Sequence, residues 1–143
     1  MNTLTERWLL DTNVWVFGLR RSEAFQACAE PLDHIGSYYV LIPFQVLKEL
    51  NVNLTEDETR DFYQLINQHA EWIELRWEAP PIERVKLYER RGCRKGDAAI
   101  AAHAEELVIT TIVSENRQFL QTMQGLPMEI VTSAVALTRL PSP

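Results

Sequence analysis

The sequence predicts an α/β fold, a single domain whose mostly parallel central sheet is flanked by helices on both faces. Three observations predict it. Short apolar runs recur along the chain, as strands buried on both faces require. The stretches between them repeat apolar residues at helical spacing, and the two kinds of segment alternate. With 143 residues, 46% hydrophobic and 24% charged, the chain is long enough for one core and ordinary in composition, which excludes disordered and low-complexity classes.

The first strand is Arg7 to Leu10, ending at Asp11. A helix is expected from near Ser22, because Phe25, Cys28, Ala29 and Leu32 fall at i, i+3, i+4 and i+7, with Pro31 shortening it. Tyr38 to Ile42 reads as the second strand, and Phe44 to Leu50 as a helix with Val46, Leu47 and Leu50 on one face. Thr55-Glu56-Asp57-Glu58 has the form of a capping box before Phe62, Leu65 and Ile66. Glu71 to Trp77 alternates as a half-buried strand, and Pro81 to Arg91 returns to helical spacing. An alanine-rich helix follows from Asp97 to Glu106, then a strand from Leu107 to Val113, a helix from Glu115 to Met123 and a last strand from Met128 to Thr132. The core is thus expected over residues 7–132, with a short tail over residues 133–143.

Asp11 and Asn13 interrupt the N-terminal apolar run before it reaches signal-peptide or membrane-span length, so a cytoplasmic protein is expected. Cys28 and Cys93 lie far apart with no histidine pair nearby, which argues against structural zinc. Cys28 reads as a buried apolar residue, whereas the basic neighbours of Cys93 would lower its thiol pKa. His34, His69 and His103 are isolated and read as helix-surface or cap residues.

In parallel sheets, functional groups gather beyond the carboxyl ends of the strands. Asp11 follows the first strand, and Ser114-Glu115-Asn116 follow Val113. Glu49 borders the apolar stripe of its helix, while Lys48 falls opposite. Asp97 opens its helix after Lys95-Gly96. Taken singly, each is also explained as a turn, cap or boundary residue. Carboxylates brought together would repel and raise one another's pKa unless a cation offset them, and Mg2+ or Mn2+ suits such an oxygen-rich site.

The ordered set Leu9-Leu10-Asp11-Thr12-Asn13-Val14, Val46-Leu47-Lys48-Glu49-Leu50, Gly96-Asp97-Ala98-Ala99-Ile100-Ala101-Ala102-His103-Ala104 and Val113-Ser114-Glu115-Asn116-Arg117-Gln118-Phe119 resembles the motifs of a PIN domain, the nuclease fold of VapC-type toxins. The resemblance implies that Asp11, Glu49 and Asp97 form an acidic Mg2+ or Mn2+ site, with Ser114 and Asn116 orienting ligands or the attacking water, and Asn116 reaching the metal through its carbonyl oxygen. It implies an endoribonuclease, a homodimer, and a small antitoxin that covers the site. Many relatives carry aspartate where this chain has Asn116, and often at Gln118 as well, so a fourth carboxylate is missing; Glu115 is its neighbour. A haloacid-dehalogenase-like phosphotransferase would need a second acid where Asn13 stands. A catalytically weak PIN-fold module that binds RNA or protein is the alternative of a different class.

The excess of 20 acidic over 14 basic residues, a net charge of −6, argues against broad electrostatic binding of nucleic acid. Yet Arg84, Lys86, Arg90, Arg91, Arg94 and Lys95 stand against Glu89 alone in one segment that ends just before Asp97. Arg90, Arg91, Arg94, Lys95 and Arg117 are therefore candidate phosphate contacts, with Arg20 and Arg21 following the first motif.

Overall fold

Strand β1 (Arg7–Leu10) occupies the centre of a five-stranded sheet because three of its four residues are fully buried and neither face meets solvent. The computed structural model describes residues 6–122 and 128–140. In chain order β1 leads to α1 (Thr12–Arg20), a 3-10 turn (Glu23–Cys28), α2 (Ala29–Asp33), β2 (Tyr39–Ile42), α3 (Phe44–Asn53) and α4 (Glu56–Gln68). There follow β3 (Ile73–Leu75), α5 (Ile82–Arg90), α6 (Lys95–Glu106), β4 (Thr111–Val113), α7 (Arg117–Thr122), β5 (Glu129–Val131) and α8 (Ser133–Leu137). All pairings are parallel, in the order β3-β2-β1-β4-β5, with Leu9 level with Leu41 on one side and Ile112 on the other. The chain builds outward from β1 to β3 and then returns to β4 on the opposite side of β1. This leaves a crevice at the carboxyl ends of β1 and β4, where the winding reverses.

The predicted capping box is present: the Thr55 hydroxyl accepts from the Glu58 N–H and the Glu58 carboxylate from the Thr55 N–H. Helix α6 is buried from Ala98 through Ala104, so its alanines serve close packing as well as helix propensity. Among the described residues no helix is long and apolar enough to cross a membrane.

The largest departure from the sequence expectation lies after β1. Residues 12–20 form α1, which the apolar spacing of residues 25–32 had obscured, and the helix expected from Ser22 is instead a 3-10 turn kinked at Phe25 followed by the short α2. Pro31 sits in the first turn of α2, where its missing N–H costs little. Strand β4 is shorter than expected because Leu107 caps α6 and Val108 takes a left-handed conformation (φ 56), so pairing starts only at Thr111. Glu71 and Trp72 belong to a 3-10 turn before β3, and α7 starts at Arg117 since Asn116 caps it; Met123, the expected end of that helix, lies outside the described residues. Residues 133–137, assigned to the tail, instead form α8, with Ser133 and Ala136 fully buried. Its first N–H, on Ser133, donates to the Glu115 carboxylate. His103, expected on a helix surface, is buried with its Nδ1 unpaired.

Gly18 lets α1 approach the next segment. A Cβ there would stand 2.6 Å from the Cys28 carbonyl oxygen and 2.6 Å from Leu32 Cδ1. Glycine to alanine in a helix normally gains about 1 kcal/mol. Here the overlap with backbone reverses the sign, and Gly18→Ala is expected to lower stability by about 1 to 3 kcal/mol, read from the urea midpoint at unchanged m.

Candidate active site

Asp11 does three things at the end of β1. Its N–H donates to the Val113 carbonyl (2.8 Å), its Oδ1 accepts from the Thr12 N–H (2.7 Å), and its Oδ2 accepts from the Ser114 hydroxyl (2.7 Å). The residue is 5% exposed, so these donors replace the water a carboxylate loses on burial. Ser114, fully buried, also accepts from the Asn116 N–H. The Thr12 hydroxyl donates to Glu49 Oε1 at 2.6 Å, aiming that carboxylate from α3 toward α1. On the other side of Glu49, a Cβ on Gly96 would meet its Oε2 at 3.2 Å, so a residue without a side chain precedes Asp97. Asp97, in the first turn of α6, accepts from the Asn116 side-chain N–H at 3.2 Å.

Asp11, Glu49, Asp97 and Asn116 thereby line one cleft of about 310 Å³, together with Thr12, Asn13, Val16, Phe17, Arg20 and Asn53. Burial pushes the Asp11 carboxyl up to about 6, against the pull of the Ser114 and Thr12 hydrogen bonds and with help from the charges of Asp97 and Glu49. Burial, then the Glu49 charge, pushes Asp97 to about 6, with Arg94 pulling the other way. A second cleft of like volume lies at the amino-terminal ends of the strands beside Arg7, Tyr39, Trp72 and Glu74, where Arg7 and Glu74 pair with each other.

The sequence-predicted residues divide. Asp11, Glu49, Asp97, Ser114 and Asn116 are brought together. Asn116, however, turns its carbonyl oxygen to the Gln118 N–H (3.1 Å) at the start of α7, so the oxygen expected to reach a metal serves the helix instead. Glu115 points away: its carboxylate accepts from the Ser133 N–H and from the Cys28 thiol. Arg90, Arg91, Arg94, Lys95 and Arg117 do not line the cleft; of these, Arg94 is close enough to bias Asp97. Arg20 does line it, although nothing in the sequence separates it from Arg21, which pairs with Asp33. Both thiols are unsuited to chemistry: burial pushes Cys28 to about 11, and burial and Asp97 raise Cys93 despite Arg91 beside it.

Comparison with known families matches residues 8–123 to the PIN domain. The chain belongs to this family. Solved structures similar to this PIN domain include FitAcB from Neisseria gonorrhoeae (TM-score 0.61, 16% identity, 89% of this chain and 98% of that one). VapBC2 from Rickettsia felis, bound to a DNA fragment from their promoter, is similar at TM-score 0.55 and 18% identity over 87% and 96% of the two chains. PAE2754 from Pyrobaculum aerophilum gives TM-score 0.54 and 16% identity over 94% and 97%. No curated protein matches in sequence.

PIN domains typically use divalent metal ions, and the residues here fit one by the chemistry of their donors. The facing groups are hard oxygens, two of them carboxyls held above their ordinary range by burial and by the charges of neighbouring carboxylates. Among the described residues no three acidic, histidine or cysteine side chains close into a tight metal cage.

The raised pKa values make the metal-free site a source of instability with a defined pH window. Asp97 ionises near 3.8 when unfolded and near 6 when folded, so the folded state is favoured below pH 4 and loses that advantage as pH rises through 6. In EDTA, Asp97→Asn is expected to be more stable than the parent at pH 7.5 by on the order of 1 kcal/mol, the partial exposure of the group reducing a larger nominal value. At pH 3.5 the two proteins should melt together. A parent that is the more stable at pH 7.5 would show that the carboxylate is not under repulsion.

Proposed function

We infer that this PIN domain is a divalent-metal-dependent endoribonuclease, the toxin component of a toxin–antitoxin pair. PIN domains are generally nucleases. The observation that carries the reading is the convergence of Asp11, Glu49 and Asp97 on one cleft at the crevice between β1 and β4. Asp11, Glu49 and Asp97 would hold Mg2+ or Mn2+, directly or through water. Such an ion supplies charge neutralisation and polarisation of an RNA phosphodiester.

The chain's own residues prepare the site for that role. The Ser114 hydroxyl and the Thr12 N–H keep Asp11 in one rotamer and favour its ionised form. The Thr12 hydroxyl fixes Glu49, and the Asn116 amide fixes Asp97 by donating to it. Asn116 is thus a positioning residue for Asp97 and takes the place of a fourth acid without adding charge. Phosphate contacts from Arg90, Arg91, Arg94, Lys95 and Arg117 belong to an outer path on the α6 side, where Arg94 already influences Asp97. The resemblance to VapC-type toxins further supports a homodimer and a small antitoxin whose C-terminal segment covers the acidic cleft with basic or aromatic side chains. The loss of the fourth carboxylate favours a second reading, a PIN-fold module that binds RNA with little turnover.

Labelled RNA incubated with the protein and Mg2+ or Mn2+ separates the two. Cleavage is expected, with loss on adding EDTA and a fall of roughly 100-fold or more in Asp97→Asn. Cleavage that survives in Asp97→Asn removes the assignment of the site. RNA binding without cleavage in the parent protein selects the second reading.

A further inference from the structure

One face of α1 lines the cleft at helical spacing: Asn13, Val16, Phe17 and Arg20 stand at i, i+3, i+4 and i+7. Phe17 also packs against the core and Arg20 ties α1 to α4, yet both reach the cleft wall. The Phe17 ring lies against that of Phe25, with centroids 4.2 Å apart and planes 5° from parallel. The arrangement follows from the turn that ends α1. Arg21 is left-handed (φ 47), the Ser22 N–H donates back to the Phe17 carbonyl at 3.0 Å, and the chain reverses so that the 3-10 turn runs beside the helix. Phe25 leaves helical geometry there (φ −134, ψ 55), and it remains 37% exposed.

Arg20 sits one turn beyond Phe17. Its Nε and Nη2 donate to the two Glu58 carboxylate oxygens at 2.7 and 3.1 Å, and Nη2 also to the Asn53 carbonyl at 3.1 Å. Glu58 is itself fixed by the capping box of α4, so the guanidinium is held at the cleft wall and Nη1 is the arm left to meet a ligand. Among the described residues that line the cleft Arg20 is the basic one, facing the acids Asp11, Glu49 and Asp97, and its Nη1 is where a phosphate can enter.

We propose that Phe25, stacked on Phe17, and Arg20 together form a subsite for one nucleotide of single-stranded RNA. An unpaired base stacks on Phe25, Arg20 takes the adjoining phosphate, and the strand is led from there to the acidic cleft. A base inside a duplex has both faces covered by its neighbours and cannot stack on a side chain without leaving them, so the subsite selects unpaired RNA. The acids alone would draw a basic peptide; the exposed ring face of Phe25 beside a guanidinium that keeps a free Nη1 instead matches a base and its phosphate. The proposal rests on the ribonuclease reading for the direction of the strand, yet its test does not depend on cleavage.

The probe is a ten-nucleotide phosphorothioate single strand carrying one 2-aminopurine, titrated with the 143-residue protein in Mg2+, with fluorescence quenching as the sign of base stacking. Quenching is expected in the parent and in Phe25→Trp. In Phe25→Leu, which keeps apolar cover over Phe17, quenching should disappear and the dissociation constant rise about 10-fold. Arg20→Gln should weaken binding and lower the salt dependence while quenching at saturation persists. A duplex of the same sequence should bind more weakly and with the same affinity to the parent and Phe25→Leu. Equal quenching in Phe25→Leu, equal binding of duplex and single strand, or no binding of RNA by the parent overturns the subsite. A parent that quenches the probe but fails to cleave natural RNA overturns the ribonuclease reading alone.

Discussion

Burial of the Asp11 carboxylate is the constraint on which the rest of the structure turns. A charge that is 5% exposed needs donors in place of water, and the two that its carboxylate finds come from different parts of the chain. The Thr12 N–H is the start of α1, the Ser114 hydroxyl is the end of β4, and the Val113 carbonyl takes up the Asp11 N–H across the sheet. Because the carbonyl of Asp11 also accepts from Val14, the same residue ends β1 and sets the direction in which α1 leaves it. Thr12 then presents its hydroxyl to Glu49, and the row of residues behind it faces the cleft.

The other acids arrive by different routes. Glu49 comes from α3, which follows β2 with only Pro43 between, and Asp97 comes from α6, whose buried alanines bring the helix close. The free N–H groups at the start of α6 favour a charged Asp97, while burial and the facing Glu49 oppose it. The folded chain accepts that conflict and limits it with one neutral donor, the Asn116 amide. A carboxylate at residue 116 would have removed the donor and added a further charge to repel.

The sheet was legible because short apolar runs alternate with segments of helical spacing, and Asp11 and Ser114 stood out because each follows such a run. Helix α1 was not, since Val14, Trp15, Val16 and Phe17 are β-branched or aromatic and show no polar face until the fold supplies a cleft for Asn13 and Arg20. Charge density gives no direction either. The basic cluster of residues 84–95 stands out in the sequence, but direction is a property of the fold, and of the Arg20-Arg21 pair it is Arg20 that reaches the cleft wall. Asn116 was recognised as part of the site, while the choice between its oxygen and its nitrogen depended on α7 beginning one residue later. Glu115 was a neighbour of the site in sequence and proved to be the cap of α8, because Ser133 returns to the end of β4 after β5 is laid down.

The outer strands β3 and β5 are three residues long, and each carries a glutamate engaged in an ion pair, Glu74 with Arg7 and Arg76, and Glu129 with Arg139. Short, charged margins offer another chain few free N–H and C=O groups and no apolar strand to copy. The sheet is therefore protected against growing by strand addition. The large apolar side chains left in solvent on and just before α5, Trp77, Ile82 and Leu87, lie off these margins, so this apolar surface is kept away from unpaired strand backbone.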